Sequence, residues 1–303
     1  MSGISVELHE LIALKQYAQR AYAPQRSRAR SVGNHSSALK GRGMDFDEVR
    51  SYQAGDDIRH MEWRVTARTG TPHIKLYREE CERPVILVTD FNPSMYFATQ
   101  VAFKSVIASR LAALIAWTAV KHGDRVGGLL FSADKHLELK PRGRTQGVLP
   151  LLNALSQYSQ TLPQNHQASS MSNALQRLRR VAMPGSLVYI LSDFYSLDEQ
   201  SKKHLSRLSQ QLDIVGFHLK DIIEMQAPPA GCYAMTNGEQ ELVLDTRQNS
   251  IRRNYQGYFE QRQDQLQQFF NQYAIPLVTV LPTDNITDLV HQTYCQQTRR
   301  QYG

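Results

Sequence analysis

The most constraining feature of this chain is a pair of short apolar runs that each end in an aspartate. V-I-L-V-T precedes Asp90, and S-L-V-Y-I-L-S precedes Asp193. Continuous apolar runs of this length suit strands buried on both faces of a parallel sheet. In open α/β sheets ligands gather at the carboxyl ends of the strands, where both aspartates fall. After Asp90 the sequence continues F-N-P-S, so side-chain oxygens recur at Asp90, Asn92 and Ser94. The Asn92-Pro93 pair favours a turn that brings those oxygens to one side of a tight loop.

Around these runs the hydrophobic period alternates between strand and helix. Gln100 to Val120 carries apolar residues at helical spacing and closes at Gly123. Strands are expected at 125–132, 136–139, 186–192, 212–219 and 275–281, and helices at 147–158, 170–181, 251–273 and 286–297. Ser196 with Glu199 reads as a capping box for a helix after Asp193. A hairpin insert is expected at 231–245. Such alternation predicts an α/β domain with a doubly wound, mostly parallel sheet flanked by helices. Ahead of it, Val6 to Arg20 reads as an amphipathic helix and 21–40 as a basic linker. Met61, Trp63, Val65 and Ala67 alternate with polar residues before Thr69-Gly70, and Ile74 and Leu76 resume the alternation. That pattern predicts a β-hairpin with one buried face, Trp63 in its core. The expected domains are 1–40, 41–82 and 83–303.

Composition removes several function classes. No apolar run reaches the ~18 residues of a membrane span, and no signal-peptide pattern opens the chain, so a cytoplasmic protein is expected. Cys81, Cys232 and Cys295 are too scattered for a disulfide framework or a zinc site. The net charge of +7 is concentrated in arginine clusters at 25–31, 177–180 and the C-terminus. No zinc finger or aromatic RNA-binding signature accompanies them, which argues against a nucleic-acid partner. Nor is there a Gly-x-x-x-x-Gly-Lys loop or a Gly-x-Ser-x-Gly elbow.

Carboxylates and hydroxyls at a common strand edge form a hard-oxygen set of the kind Mg²⁺ accepts. Asp90, Asn92 and Ser94 supply the first group, and Asp193 the opposing charge. A hydroxyl from S-S-M-S-N-A-L, Ser169 or Ser170, would complete the set. This arrangement resembles the von Willebrand factor A fold with its metal-ion-dependent adhesion site. Gly41, Asp45, Phe46, Arg50, Tyr52, Gly55, Asp56, Asp57, Arg59, Trp63, Ala67 and Arg68 resemble, more specifically, bacterial domain-of-unknown-function family 58. The resemblance matches Asp90, Ser94 and Asp193 to the metal site, puts Asn92 where serine is usual, and places the threonine position on Ser169. It implies a bound Mg²⁺ or other divalent ion. It also implies a non-enzymatic adaptor that works with a MoxR-type AAA+ ATPase in a chaperone-like complex.

Two other readings compete. Asp90 after an apolar strand also opens the haloacid-dehalogenase phosphatase pattern, but Asn92 occupies the position of the general acid and cannot donate a proton as an acid. Leu8, Leu11, Ile12 and Leu14 could also dock on a membrane surface; packing of that stripe onto the protein's own core is the expectation favoured here. In the Gly41 to Arg68 string, Asp56, Asp57, Arg50, Arg59 and Arg68 are read as ion-paired structural residues.

Overall fold

The computed structural model describes residues 3–18, 44–79, 82–163, 169–236 and 241–293. The expected basic linker, 21–40, lies outside the described residues. The chain falls into two compact units, one drawn from 1–27 and 83–303, the other from 28–82. It opens with two short helices of the larger unit, α1 (Leu8–Ala13) and α2 (Lys15–Ala18). In the smaller unit, β1 (Met44–Ser51) pairs antiparallel with β2 (His73–Glu79), and α3 (Trp63–Thr69) lies in the connection. The expected strand through Trp63 is therefore a helix. Glu62 caps its first turn, and Gly70, at φ 73°, ends it in the left-handed conformation that glycine adopts without strain. Trp63 is 66% exposed and is not a core residue. Arg50 pairs with Asp56 at 2.7 Å, while Asp57 accepts from the backbone N–H of Arg59 to start a 3-10 turn.

In the larger unit the elements follow as β3 (Pro84–Asp90), α4 (Lys104–Lys121), β4 (Arg125–Phe131), β5 (His136–Gly143), α5 (Thr145–Gln160), α6 (Met171–Val181), β6 (Leu187–Ser192), α7 (Glu199–Leu208) and β7 (Asp213–Leu219). A small antiparallel pair, β8 (Cys232–Thr236) and β9 (Glu241–Asp245), precedes α8 (Asn249–Gln272) and β10 (Leu277–Val280). Residues 286–293 are helical. One six-stranded sheet runs in the order β10-β7-β6-β3-β4-β5. Every neighbouring pair is parallel except β4 with the edge strand β5. From β3 the chain steps to β4 on one side and later to β6 on the other. The order thus reverses between β3 and β6, and a crevice is expected at their carboxyl ends.

Alternation along the central strands sorts their side chains onto two faces. Val85, Leu87, Tyr189, Leu191, Val215 and Phe217 join one apolar cluster with α4, α5 and the N-terminal segment. Ile86, Val88, Val188, Ile190 and Ile214 join the other, with α6, α7 and α8. Helix α4 is buried almost all round, as its apolar circumference requires. It is covered on its outer side by Val6, Leu11, Leu14 and Ala18. Trp117 Nε1 donates to the Leu11 carbonyl at 3.0 Å, and Arg110 pairs with the buried Glu10 at 2.6 Å. Each fully buried Leu or Val of this segment contributes about 1.5–3 kcal/mol. The buried stripe of α1 therefore faces the protein itself. Among the described residues, no helix is long and apolar enough to cross a membrane.

Candidate functional site

The strand ends at the β3/β6 reversal bring together three of the residues singled out from the sequence. Asp90 closes β3 and is 1% exposed. Its Oδ1 accepts from the Asn92 backbone N–H at 2.9 Å, and its Oδ2 from Ser192 Oγ at 2.6 Å and Ser196 Oγ at 3.5 Å. Burial, reinforced by the negative charge of Asp193, pushes the Asp90 carboxyl up to about 7. Asp193 follows β6 immediately, is equally buried, and accepts hydrogen bonds from Ser94 and from the Tyr195 backbone N–H. The next residue, Phe194, sits at φ 57°. A left-handed non-glycine residue costs about 1–2 kcal/mol. Its ring is fixed edge-on against Phe270 and His218, and its N–H donates to Ser192 Oγ. The Asp193 carboxylate beside it meets the Lys104 ammonium at 2.9 Å.

Lys104 joins the site from outside the residues that the sequence pattern singles out. It begins α4 and is 2% exposed. Its Nζ donates to Asp193 Oδ2 at 2.9 Å and to Glu224 Oε1 at 2.8 Å. Burial alone lowers the affinity of Lys104 for its proton, but the two carboxylates more than offset it and the ammonium is held above its usual range. Burial likewise raises Asp193, and the Lys104 charge overrides it, holding that carboxyl low. One signal was available: Lys104 and Arg110 are the only charged residues between Val101 and Val120, within a helix otherwise built for burial. Each answers a buried acid.

The network extends beyond the ammonium. Glu224 Oε2 accepts from the Asp221 N–H at 2.8 Å, and the Asp221 side chain caps the 3-10 turn Ile222–Glu224 that follows β7, giving a capping box. Asp221 also accepts from the Thr99 backbone N–H at 2.8 Å and from the Thr99 hydroxyl. Three loops, those after β3, β6 and β7, are thereby tied together at one edge of the sheet. Tyr195 lies over this network: the Lys104 ammonium sits 5.4 Å and the Arg262 guanidinium of α8 3.9 Å from its ring centroid. Tyr255 Oη donates to the Ile223 carbonyl at 2.9 Å, joining α8 to the same edge.

Asn92 and the backbone of Ser169 hold one another. Asn92 Oδ1 accepts from the Ser169 N–H at 2.8 Å and its Nδ2 donates to the Ser169 carbonyl at 3.1 Å. The buried amide thus staples the segment before α6 to the β3 turn, with both polar atoms engaged. Ser170 accepts from the Ser172 N–H as N-cap of α6 and donates to Asp198. The expected capping box at Ser196 is also replaced: Asp198 caps α7 through the Ser201 N–H at 2.7 Å, and Ser196 turns toward Asp90.

Whether this donor set suits a divalent ion is decided by its chemistry. Both Asp90 oxygens, the Asn92 amide oxygen and both Asp193 oxygens already accept hydrogens. A cation of the chain's own, Lys104, stands against Asp193. Among the described residues, no three His, Cys, Asp or Glu side chains gather as a metal-binding group. Mg²⁺ takes one or two carboxylates from a protein and keeps several waters; here one of the two carboxylates, Asp193, is already neutralised by the Lys104 ammonium, so the set fits a divalent ion poorly.

The fold and site define a mostly parallel α/β protein with a buried ionic network at the strand-order reversal. The chain belongs to the family described as Protein of unknown function DUF58, whose profile matches residues 48–265. It is 27% identical over 215 residues to the uncharacterized protein Rv1480 of Mycobacterium tuberculosis and, to the same extent, to the uncharacterized protein Mb1516 of Mycobacterium bovis. Those alignments take in 70% of this chain and 66% of each relative, so the chain spans just under two thirds of their length. A crystal structure of the conserved hypothetical protein BatB from Bacteroides thetaiotaomicron aligns with a TM-score of 0.47 and 14% identity, over 72% of this chain and 99% of that one.

Proposed function

We propose that the chain is a non-enzymatic protein-interaction domain of the von Willebrand factor A type, whose working face is the carboxyl edge of the six-stranded sheet. The observation that carries this reading is the character of that edge. A fully paired ionic network lies beneath a rim that exposes Phe97, Val101, Tyr195, Met225 and Tyr258, the last from α8. Aromatic and methionine side chains over a preorganised polar floor are the composition of binding hot spots. The strand order, with its reversal between β3 and β6 and its antiparallel edge strand, supports the von Willebrand factor A assignment. Both oxygens of Asp90 are held by hydrogen bonds within the fold, and Asn92 offers an amide where a phosphatase needs an acid. That supports binding over attack on phosphorus. The partner proposed is a MoxR-type AAA+ ATPase, carried over from the family resemblance.

The test is direct binding between the purified chain and a MoxR-type ATPase from the same genome, by calorimetry, with Tyr195→Asp and Tyr258→Asp alongside. Saturable binding weakened by either rim variant is the expected result. Binding that ignores both variants would move the partner's contact off this edge, and turnover of a generic phosphate ester abolished by Asp90→Asn would replace the interaction reading with an enzyme.

A further inference from the structure

We propose that the Lys104 ammonium is the resident cation of this site, so that the chain itself holds the carboxyl edge in its assembled form and no divalent ion is required. The claim that the assembled edge is the binding form rests on the interaction reading above; the claim about the cation stands on geometry alone. Lysine at the first position of a helix is set against the positive end of the helix dipole, and a buried ammonium is costly unless paired. Lys104 tolerates both because two carboxylates from separate loops, Asp193 and Glu224, meet it at 2.9 and 2.8 Å. Its partners are themselves fixed: Ser94 and the Tyr195 N–H hold Asp193, and the capping box with Asp221 holds Glu224. Thr99 then ties Asp221 back to the loop that leads into α4.

A bridging metal at such an edge would join the loops after β3, β6 and β7 by drawing their oxygens onto one positive centre. Here the ammonium performs that joining with charge-assisted hydrogen bonds, and it does so from within the chain. A divalent ion would have to displace the ammonium from Asp193 or share that carboxylate with it, against the repulsion of a cation already in place. Partner binding at this edge is therefore set by surface complementarity and not by divalent ion concentration.

The experiment measures Mn²⁺ binding by electron paramagnetic resonance and calorimetry on the full chain, together with melting curves in millimolar Mg²⁺ and in EDTA. Wild type is expected to bind no Mn²⁺ stoichiometrically and to melt identically in both buffers. Lys104→Ala leaves Asp193 and Glu224 facing one another without a cation, and it is expected to bind Mn²⁺ at least about tenfold more tightly than wild type and to melt higher with the ion than without. Lys104→Gln, which keeps the length and a donor, replaces it if the alanine variant does not fold. One-to-one Mn²⁺ binding by wild type that Asp193→Asn removes would overturn the proposal, as would a folded Lys104 variant as stable as wild type and indifferent to the ion. No partner protein enters this test, so its failure leaves the interaction reading to its own experiment.

Discussion

Replacing Asp90 by asparagine is expected to stabilise the protein at alkaline pH and to have little effect at acid pH. The Asp90 carboxyl is fully buried beside Asp193 and titrates near 7 in the folded chain, against 3.8 for an ordinary aspartate. The folded state therefore holds a proton that the unfolded state releases between these values. Stability falls as pH rises wherever the folded state binds more protons. A raised acid of this kind favours folding below about pH 4 in full, and the contribution is lost as pH passes 7. With 1.36 kcal/mol per pKa unit, the difference between pH 5 and pH 8 comes to about 2.5 kcal/mol. For a domain of this size that is roughly a 5 °C change in melting temperature. The asparagine side chain would keep both contacts, since the Ser192 hydroxyl can accept as well as donate, and it removes the titration. Melting curves of wild type and Asp90→Asn from pH 5 to pH 8 check this, reading only the difference between the two proteins so that other titrating groups cancel. A difference that does not widen toward pH 8 would refute the placement of a buried, proton-holding carboxyl at this strand end.

Two further outcomes follow from the same geometry. Asn92→Ser places the residue usual in the resembling site, but serine cannot span both backbone atoms of Ser169; denaturant unfolding is expected to show a loss of about 1–3 kcal/mol, whereas a ligand role for Asn92 would leave serine equivalent or better. Leu11→Asp buries an unpaired charge against α4 and should release residues 3–18, seen as faster amide exchange there while the central strands keep their protection; unchanged exchange in that segment would show that the docking is not held by its apolar face.

The central strands announced themselves because both faces of the sheet are covered, which forces unbroken apolar runs such as Val85 to Val88 and Leu187 to Leu191. Those runs also located Asp90 and Asp193, because a strand end is fixed by where the apolar run stops. The segment around Trp63 misled for the opposite reason. Alternation over seven residues fits a strand, yet β1 and β2 pair with each other and leave 63–69 outside their ladder, where a capped helix forms. Asn92 was read from its place in a series of oxygens, but its orientation is set by the backbone of Ser169, 77 residues away. Lys104 escaped because a lone lysine in an apolar helix looks like an edge residue until Asp193 and Glu224 are seen to converge on it. Local pattern thus gave the elements and the place of the site, while the partners of each polar atom depended on long-range packing.

Whether Lys104 or a divalent ion occupies this edge is read most directly from a crystal structure of the protein grown or soaked in Mn²⁺, with anomalous data collected for the ion. The expected result is the Lys104 ammonium between Asp193 and Glu224 and no anomalous peak within coordinating distance of Asp90, Ser94 or Asp193. A manganese peak shared by those three side chains, with Lys104 swung away, would contradict it.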